Sequence, residues 1–414
     1  MKKSVYLFPG QGSQYVGMGK NLLDHAEVRQ LYSAASDVIG LDLIDLCLNS
    51  TLDTLTQTAN AQPAILVSSL AALKVFEDLF DESPSFAAGH SLGEISALTA
   101  VGAIEFTDAV KIVRKRGFLM QSAAQTSDGK MVAIANAAVD DVAKICLECS
   151  NDADKVVISN INSAHQMVIS GTTSAVDLAC SALKKLGVAL IPLKVSAPFH
   201  SPYMINAAKE FEQELKQYTF QDFKYPVISN VDGVPYTDKT QIIGRLVEQM
   251  VKPVQWRATM AYLDQEDVSL AVEFGPKSVL KGLAKDNKTN CSCYSFDLQE
   301  DRGKLSEIFA SSTRAITSDM SLIGKCLAIA VCTQNHNWDD EQYKRGVIEP
   351  YRKIQELQEE LETNKMEFKE DHISQALSML RSVFETKRTS PEERQARIDE
   401  IRAHSGKDYS YIFG

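Results

Sequence analysis

The sequence is poor in cysteine, has no excess of positive charge and lacks a long unbroken apolar run. Eight cysteines in 414 residues are too few for a disulfide framework. A formal net charge of -11 at pH 7 disfavours nonspecific binding to nucleic acid or to an anionic membrane. No segment approaches the roughly 20 apolar residues of a membrane span, and the apolar run after Lys2-Lys3 is too short for a signal peptide. We therefore expect a soluble cytoplasmic protein with reduced thiols.

The histidines, cysteines and carboxylates also lack the spacing of a metal site. Cys146 and Cys149 form a C-x-x-C pair, but the surrounding pattern is helical, which favours packed thiols over a redox or metal site. The sequence therefore implies neither a metal nor a redox cofactor.

The segment Gly89-His90-Ser91-Leu92-Gly93-Glu94 carries the most informative functional signal. It follows a pattern typical of a short buried strand, residues 85–88, and precedes a pattern typical of a helix, residues 95–100. A sharp turn at this junction lifts the hydroxyl of Ser91 out of the sheet and directs helix-start N–H groups at an oxyanion. Glycine on both sides permits such a turn, because a neighbouring Cβ would crowd it. The pattern predicts a nucleophilic serine.

Other motifs accompany this one along the first 300 or so residues. A predicted strand at residues 4–8 runs into Pro9-Gly10-Gln11-Gly12-Ser13-Gln14. Further along the chain are Ala61-Gln62-Pro63-Ala64, Arg116-Gly117 with Met120-Gln121, Ala197-Pro198-Phe199-His200-Ser201, Gln249 ahead of Lys252-Pro253-Val254-Gln255-Trp256, and Glu273-Phe274-Gly275-Pro276-Lys277-Ser278-Val279-Leu280. With these motifs the chain resembles the malonyl-CoA:acyl carrier protein transacylase family, in particular its stand-alone, trans-acting polyketide synthase members.

Strand and helix patterns place these motifs in an α/β architecture. From residue 130 to 195 the predicted order is β-α-β-β-α-β, the order of a ferredoxin-like unit. Its strands are predicted at residues 131–135, 156–160, 166–170 and 189–194, and its helices at 139–148 and 174–186. Strands and helices alternate in the flanking blocks, which favours a mostly parallel sheet. We predict an α/β-hydrolase-like large subdomain with an inserted ferredoxin-like subdomain, together forming an acyltransferase domain at residues 1–310, with the substrate cleft between them.

From about residue 311 the charged fraction rises to roughly a third and strand patterns stop. Pro350 is predicted to open a helix with heptad-like spacing of Ile354, Leu357 and Leu361, too short for a coiled coil. A second helix has an apolar face formed by Ile373, Ala376, Leu377, Leu380 and Phe384, and Ser390-Pro391-Glu392-Glu393 predicts the start of a third. Residues 311–414 are thus expected to form a C-terminal helical extension, which either packs as a small appendage or serves docking or oligomerisation.

The resemblance implies a catalytic apparatus in which a backbone carbonyl takes the place of the usual triad carboxylate. Ser91 is the nucleophile and His200 is its base, oriented by the backbone carbonyl of Gln249. The oxyanion hole consists of the backbone N–H groups of Gln11 and Leu92.

The resemblance also implies which residues select the substrate. Arg116 meets a malonyl carboxylate with two parallel hydrogen bonds, which a lysine cannot reproduce. In related polyketide acyltransferases a phenylalanine at the position of Phe199 accompanies malonyl use and a serine accompanies methylmalonyl use. Ala197 stands where many of those enzymes have histidine, which weakens this inference. His90 is expected to have a supporting role, either in packing or in a second contact to the acyl group.

By resemblance, the chain transfers a malonyl group from malonyl-CoA to the phosphopantetheine thiol of an acyl carrier protein. A trans-acting acyl hydrolase is one alternative, but neutral acyl chains have no carboxylate with which Arg116 could pair. A generic esterase does not explain the motif at residues 9–14, and a scaffold that docks on a synthase complex through its extension remains open. The extension favours a polyketide assembly line over housekeeping fatty acid synthesis, which is the remaining alternative.

Overall fold

The computed structural model describes residues 3–80, 82–126, 128–193, 197–309, 315–363, 370–405 and 409–413. The chain divides into two compact units. The first comprises Met1–Glu77 and Glu82–Ser311, and the second comprises Asp78–Asp81 and Ser312–Gly414.

A five-stranded parallel sheet forms the centre of the first unit, in the order β7-β2-β1-β8-β9. Its strands are β1 (Lys3–Phe8), β2 (Phe86–Gly89), β7 (Val227–Ile228), β8 (Val268–Glu273) and β9 (Ser292–Ser295). β1 and β2 are neighbours, with Phe8 opposite Gly89. Since parallel strands end at the same edge of a sheet, the loops that follow β1 and β2 lie side by side.

Thirteen α-helices of the described chain precede residue 310. They are α1 (Ala26–Ile39), α2 (Leu43–Leu48), α3 (Leu52–Thr56), α4 (Thr58–Leu79), α5 (Leu92–Ala100), α6 (Phe106–Thr126), α7 (Val139–Glu148), α8 (Thr173–Lys184), α9 (Ile205–Leu215), α10 (Gln241–Gln249), α11 (Trp256–Gln265), α12 (Val279–Asp286) and α13 (Gln299–Ile308). Short 3-10 helices span Lys20–Leu22 and Pro202–Met204.

Helix α4 is long and rich in apolar residues, and its charged residues, Lys74, Glu77 and Asp78, lie near its C-terminal end. By length and composition it could cross a membrane, but 89% of its apolar window is buried within the fold. Ile65, Leu66 and Val67 are completely buried. The expectation that no segment approaches a membrane span is therefore wrong for α4, because a helix buried on most of its surface in a protein core is apolar over most of its faces.

An antiparallel four-stranded sheet is inserted between α6 and α9, in the order β4-β5-β3-β6. Its strands are β3 (Gly129–Ala135), β4 (Val156–Ile161), β5 (Gln166–Thr172) and β6 (Ala189–Pro192). Together with α7 and α8, which pack on it through a shared apolar core, this confirms the ferredoxin-like β-α-β-β-α-β order. The last strand ends at Pro192, and residue 194 of the predicted strand lies outside the described residues.

The second unit is helical, as predicted. Its α-helices are α14 (Ala315–Cys332), α15 (Asp340–Tyr343), α16 (Glu349–Thr363), α17 (Glu370–Thr386), α18 (Pro391–Ser405) and α19 (Ser410–Phe413). The predicted apolar faces are buried in one core that includes Ile354, Leu361, Ile373, Ala376, Leu377, Leu380 and Phe384. The predicted start of the third helix is confirmed, since the backbone N–H of Glu393 donates to Ser390 Oγ at 3.2 Å.

The prediction that Pro350 opens a helix is wrong. α15 continues through a π-helical turn, Lys344–Ile348, directly into α16. Proline has no backbone N–H, so the carbonyl of Gly346 loses its α-helical donor. That carbonyl accepts a hydrogen bond from Ser382 Oγ at 2.8 Å instead. A partner from another helix thus lets the proline sit inside a continuous helical segment.

Candidate active site

Ser91 lies on the turn between β2 and the start of α5. Its φ of 53° and ψ of -105° are rarely adopted by a residue with a side chain. A Cβ at Gly89 would lie 1.9 Å from the carbonyl carbon of Gly93, and a Cβ at Gly93 would lie 1.9 Å from the carbonyl oxygen of Phe8. Both glycines are therefore required by close backbone contacts, as the sequence predicts.

His200 forms a hydrogen bond with the hydroxyl of Ser91. Its Nε2 lies 2.8 Å from Ser91 Oγ, and its Nδ1 lies 2.7 Å from the backbone carbonyl oxygen of Gln249. A carbonyl only accepts, so Nδ1 carries the ring proton and Nε2 is left to accept the serine proton. This is the geometry of an activated nucleophile, with a neutral carbonyl in the place of the usual carboxylate.

The surroundings of His200 keep its ring neutral. Burial, followed by the positive charges of Arg116 and His90, lowers the pKa of His200 to about 3, against the opposing effect of the Gln249 carbonyl. The ring is 4% exposed and its residue has a φ of 52°. A neutral imidazole at physiological pH is ready to accept a proton.

The guanidinium of Arg116, on α6, also reaches the nucleophile. Nη2 donates to Ser91 Oγ at 3.1 Å and to the side-chain oxygen of Gln249 at 2.8 Å, and Nη1 donates to that of Gln62 at 3.1 Å. All three partners are neutral. Among the residues that the structure describes, Nε of Arg116 has no hydrogen-bond partner. Burial lowers the pKa of Arg116 to about 10, with Glu94 opposing the shift, so the group stays charged at neutral pH.

Seven of the eight predicted site residues line a single cavity of about 440 Å³. They are Gln11, His90, Ser91, Leu92, Arg116, Phe199 and His200. The eighth, Gln249, is 1% exposed and lies behind His200 and Arg116. The serine, the histidine and the arginine therefore line the same cavity.

Two backbone segments approach Ser91, and each contains one of the residues predicted to form an oxyanion hole. The loop after β1 approaches so closely that a Cβ at Gly10 would lie 2.4 Å from the carbonyl oxygen of His90, which brings Gln11 to the cavity. Leu92 is the first residue of α5, where N–H groups have no acceptor within the helix. The N–H of Ser91 itself already donates to Asn230 Oδ1 at 2.6 Å.

The side chain of His90 points away from the serine, towards the ferredoxin-like sheet. Its Nε2 lies 2.9 Å from Oδ1 of Asn162, directly after β4, and its ring is 5.6 Å from that of Trp256. Burial lowers the pKa of His90. These contacts fit a supporting role in packing.

A buried polar network behind the nucleophile was not predicted. It comprises Glu94, Asn230 and Tyr236, and Gln62 contributes the further contact to Arg116 described above. Asn230 follows β7 at the carboxyl edge of the sheet, a position where a polar side chain is a recognisable functional signal. Tyr236 carries no comparable signal. Among the described residues, no group of three or more histidine, cysteine or carboxylate side chains is placed to hold a metal ion.

Comparison with known proteins covers up to 96% of the chain. The family model for the acyl transferase domain matches residues 5–299. A malonyl CoA-acyl carrier protein transacylase of Bacillus subtilis is 35% identical over 399 residues, which are 96% of this chain and 100% of that protein. Another transacylase of that name, from Bacillus subtilis strain 168, is 40% identical over 287 residues, 69% of this chain and 90% of that protein.

A solved structure also matches most of this chain. It contains a malonyl-transacylase in complex with its type II PKS acyl-carrier protein, and it matches with a TM-score of 0.71 and 34% identity over 74% of this chain and 99% of that one. The family model covers most of the chain, and one relative is matched over its full length. The chain therefore belongs to the malonyl-CoA:acyl carrier protein transacylase family of acyltransferases.

Proposed function

We propose that the protein transfers a malonyl group from malonyl-CoA to the phosphopantetheine thiol of an acyl carrier protein, through a malonyl ester of Ser91. The observation that carries this proposal is the guanidinium of Arg116, which lies 3.1 Å from Ser91 Oγ while all its described partners are neutral. A buried cation beside a nucleophile favours an acyl group that ends in a carboxylate.

In the first half-reaction Ser91 attacks the thioester carbonyl of malonyl-CoA. Its hydroxyl proton passes to Nε2 of His200 as the bond from Oγ to the carbonyl carbon forms. The backbone N–H groups of Gln11 and Leu92 stabilise the oxyanion. The carbon–sulfur bond then breaks, and the departing CoA thiolate takes the proton from His200.

The second half-reaction repeats these steps with the carrier thiol as the nucleophile. His200 removes the thiol proton, and the sulfur attacks the ester carbonyl of malonyl-Ser91. The bond between Oγ and the carbonyl carbon breaks, and Oγ recovers its proton from His200. Arg116 holds the malonyl carboxylate through both halves, so the acyl group is not repositioned between them.

Phe199 is proposed to restrict the carbon next to the thioester. Its side chain is 7% exposed and lines the cavity with Ser91 and His200. A phenyl ring in this place leaves less room for the methyl group of a methylmalonyl substrate. An effect of this kind is worth about 1–3 kcal/mol, which biases selection without making it absolute.

We further propose that the protein is a trans-acting enzyme of polyketide biosynthesis, in which residues 1–310 are catalytic and residues 311–414 dock on the synthase. Two transacylases from one species support a specialised role. The alignment with the first covers 399 residues and 100% of that protein. The alignment with the second covers only 287 residues, which are 90% of that protein. The long relative therefore extends well beyond the catalytic region, as this chain does, and the short one does not.

Intact-mass spectrometry of the protein tests the proposal. With malonyl-CoA the wild type should gain one malonyl group and Ser91→Ala should gain none, and added holo carrier protein should take that group over. An adduct released mainly to water contradicts transfer and indicates a hydrolase. Equal transfer to polyketide and fatty acid carrier proteins of the host contradicts the specialised role only.

A further inference from the structure

Glu94 is a completely buried carboxyl group, three residues after the nucleophile. Three donors converge on it. Gln249 Nε2 donates to Oε2 at 2.6 Å, the backbone N–H of Asn230 donates to Oε2 at 3.1 Å, and the hydroxyl of Tyr236 donates to Oε1. Burial is the largest effect and raises the pKa of Glu94 above its usual value, although these hydrogen bonds act in the opposite direction. All three partners can donate to an ionised carboxylate, and the charge of Arg116 favours that form electrostatically.

Two of these donors hold the catalytic residues directly. Asn230 accepts from the N–H of Ser91 at 2.6 Å and donates from Nδ2 to the carbonyl of Gly89 at 2.7 Å. Gln249 Nε2 also donates to the carbonyl of Ser91 at 3.0 Å. The backbone turn that carries the nucleophile is thus fixed on both sides by residues bound to Glu94.

Gln249 connects Glu94 to Arg116 and His200 through hydrogen bonds. With its amide nitrogen bound to Glu94, its side-chain oxygen accepts from Arg116 at 2.8 Å and its backbone oxygen binds Nδ1 of His200 at 2.7 Å. An amide flipped about its axis would face Glu94 with oxygen and Arg116 with nitrogen, so the two charges fix its orientation. The titratable groups around Glu94 in this network are Arg116, His200, His90 and Tyr236.

We propose that Glu94 is a positioning residue that supplies, through Gln249, the negative charge that a triad carboxylate usually supplies in contact with the histidine. The histidine base becomes a cation when it takes the serine proton, and a buried anion nearby stabilises that cation in a low-dielectric site. The same anion balances Arg116 before the substrate binds. This inference rests on the proposed acylation of Ser91.

Substitutions that separate charge from shape test the inference. Glu94→Gln keeps the length of the side chain and can keep all three hydrogen bonds, because its amide can donate to Tyr236 and accept from the other two partners. It removes only the charge. Glu94→Asp keeps the charge and shortens the side chain. Tyr236→Phe is the matched control, since it removes one hydrogen bond to Glu94 and leaves the hydrogen bond between Glu94 and Gln249 in place.

The measurement is the single-turnover rate constant for malonylation of Ser91 at saturating malonyl-CoA, together with KM and the thermal melting temperature of each variant. We expect Glu94→Gln to slow malonylation at least tenfold with KM changed less than threefold, Glu94→Asp to be faster than Glu94→Gln, and Tyr236→Phe to stay within about threefold of wild type. A residue that acted through shape alone would give the opposite order of the two Glu94 variants.

The inference is overturned if Glu94→Gln acylates within threefold of wild type or if Glu94→Asp is the slower of the two. Should Glu94→Gln fail to fold, Gln249→Met carries the test, because it removes the amide link and keeps the backbone carbonyl on His200. An unchanged malonylation rate constant in Gln249→Met then overturns the inference. A wild-type protein that is never malonylated contradicts the proposed function instead, so the two failures are distinguishable.

Discussion

The backbone carbonyl oxygen of Gln249 lies 2.7 Å from Nδ1 of His200, while the side-chain oxygen of the same glutamine accepts a hydrogen bond from Arg116 at 2.8 Å. One residue therefore orients both the base and the cation. The backbone contact survives a side-chain substitution and the contact to Arg116 does not, so the two roles of Gln249 can be separated by experiment.

Replacing the side chain of Gln249 should impair malonyl loading more than acetyl loading. We expect Gln249→Met to slow acylation of Ser91 by malonyl-CoA about a hundredfold and by acetyl-CoA about tenfold, because only malonyl needs a fixed Arg116. Single-turnover mass spectrometry with each thioester measures both rate constants. Equal losses with the two thioesters would show that the side chain does not position Arg116.

Gly93 is expected to tolerate no side chain. Its added Cβ would lie 1.9 Å from the carbonyl oxygen of Phe8, and neither backbone segment can move without disturbing the turn at Ser91. Gly93→Ala should destabilise the protein by at least about 3 kcal/mol. Gly244 is the control, since it lies within α10 with no atom within 4 Å of an added Cβ.

Thermal denaturation followed by circular dichroism checks this pair. Gly244→Ala should raise the melting temperature slightly, because alanine favours the helix by about 0.5–1 kcal/mol. A soluble Gly93→Ala protein with wild-type melting and activity would show that the close approach of β1 to the serine turn is not required.

The acidic limb of the pH dependence of Ser91 acylation should be centred well below the usual pKa of a histidine. His200 must be neutral to accept the serine proton, and burial and the charge of Arg116 lower its pKa to about 3. Protonation on acidification is therefore delayed to a lower pH than the ordinary value of about 6.5. Removing a neighbouring positive charge makes protonation easier, so Arg116→Ala should move the limb to higher pH.

Acetylation of Ser91 by acetyl-CoA as a function of pH measures this limb without a substrate carboxylate. A wild-type limb centred near pH 6.5, or a limb that moves to lower pH in Arg116→Ala, would contradict the electrostatic environment derived for His200.

Phe199→Ser should relax the choice of extender unit. Loss of the phenyl ring opens space beside Ser91, and we expect the ratio of methylmalonyl to malonyl loading to rise about tenfold. Competition between the two CoA esters, read by intact mass, gives the ratio directly. Phe118→Ser is the control, since that ring is 46% exposed on α6 and lies outside the cavity lining; a similar rise there would mean that Phe199 does not shape the acyl pocket.

Local patterns predicted the parts of the site that short segments encode. The turn at Ser91 depends on glycines two residues away on each side, and the ferredoxin-like unit depends on strand and helix periods within 65 or so residues. The family motifs added His200, Arg116 and Gln249, which the structure brings to the same serine. These features could be predicted because a few adjacent residues determine each of them.

Contacts between distant segments could not be predicted in this way. The hydrogen bond from Asn230 to Glu94 joins residues 136 apart in sequence, and no local pattern pairs them. The continuous helix through Pro350 has the same cause, since the hydroxyl of Ser382 compensates the missing donor from a different helix. In both cases the hydrogen-bond partner comes from a segment that is distant in sequence and is brought close by tertiary packing. The local sequence around Glu94 or Pro350 does not identify that partner.

The most direct test of the central proposal is competition between equimolar malonyl-CoA and acetyl-CoA for Ser91, read by intact mass in wild type and in Arg116→Ala. Arg114→Ala is the matched control, because Arg114 lies on the same helix but binds Asn60 and the carbonyl of Ala59. We predict malonyl loading by the wild type and by Arg114→Ala, and a loss of at least about a hundredfold in malonyl loading by Arg116→Ala with acetyl loading retained, as expected for a lost pair of charge-assisted hydrogen bonds. Retained malonyl preference in Arg116→Ala would contradict the proposal that this guanidinium selects the substrate.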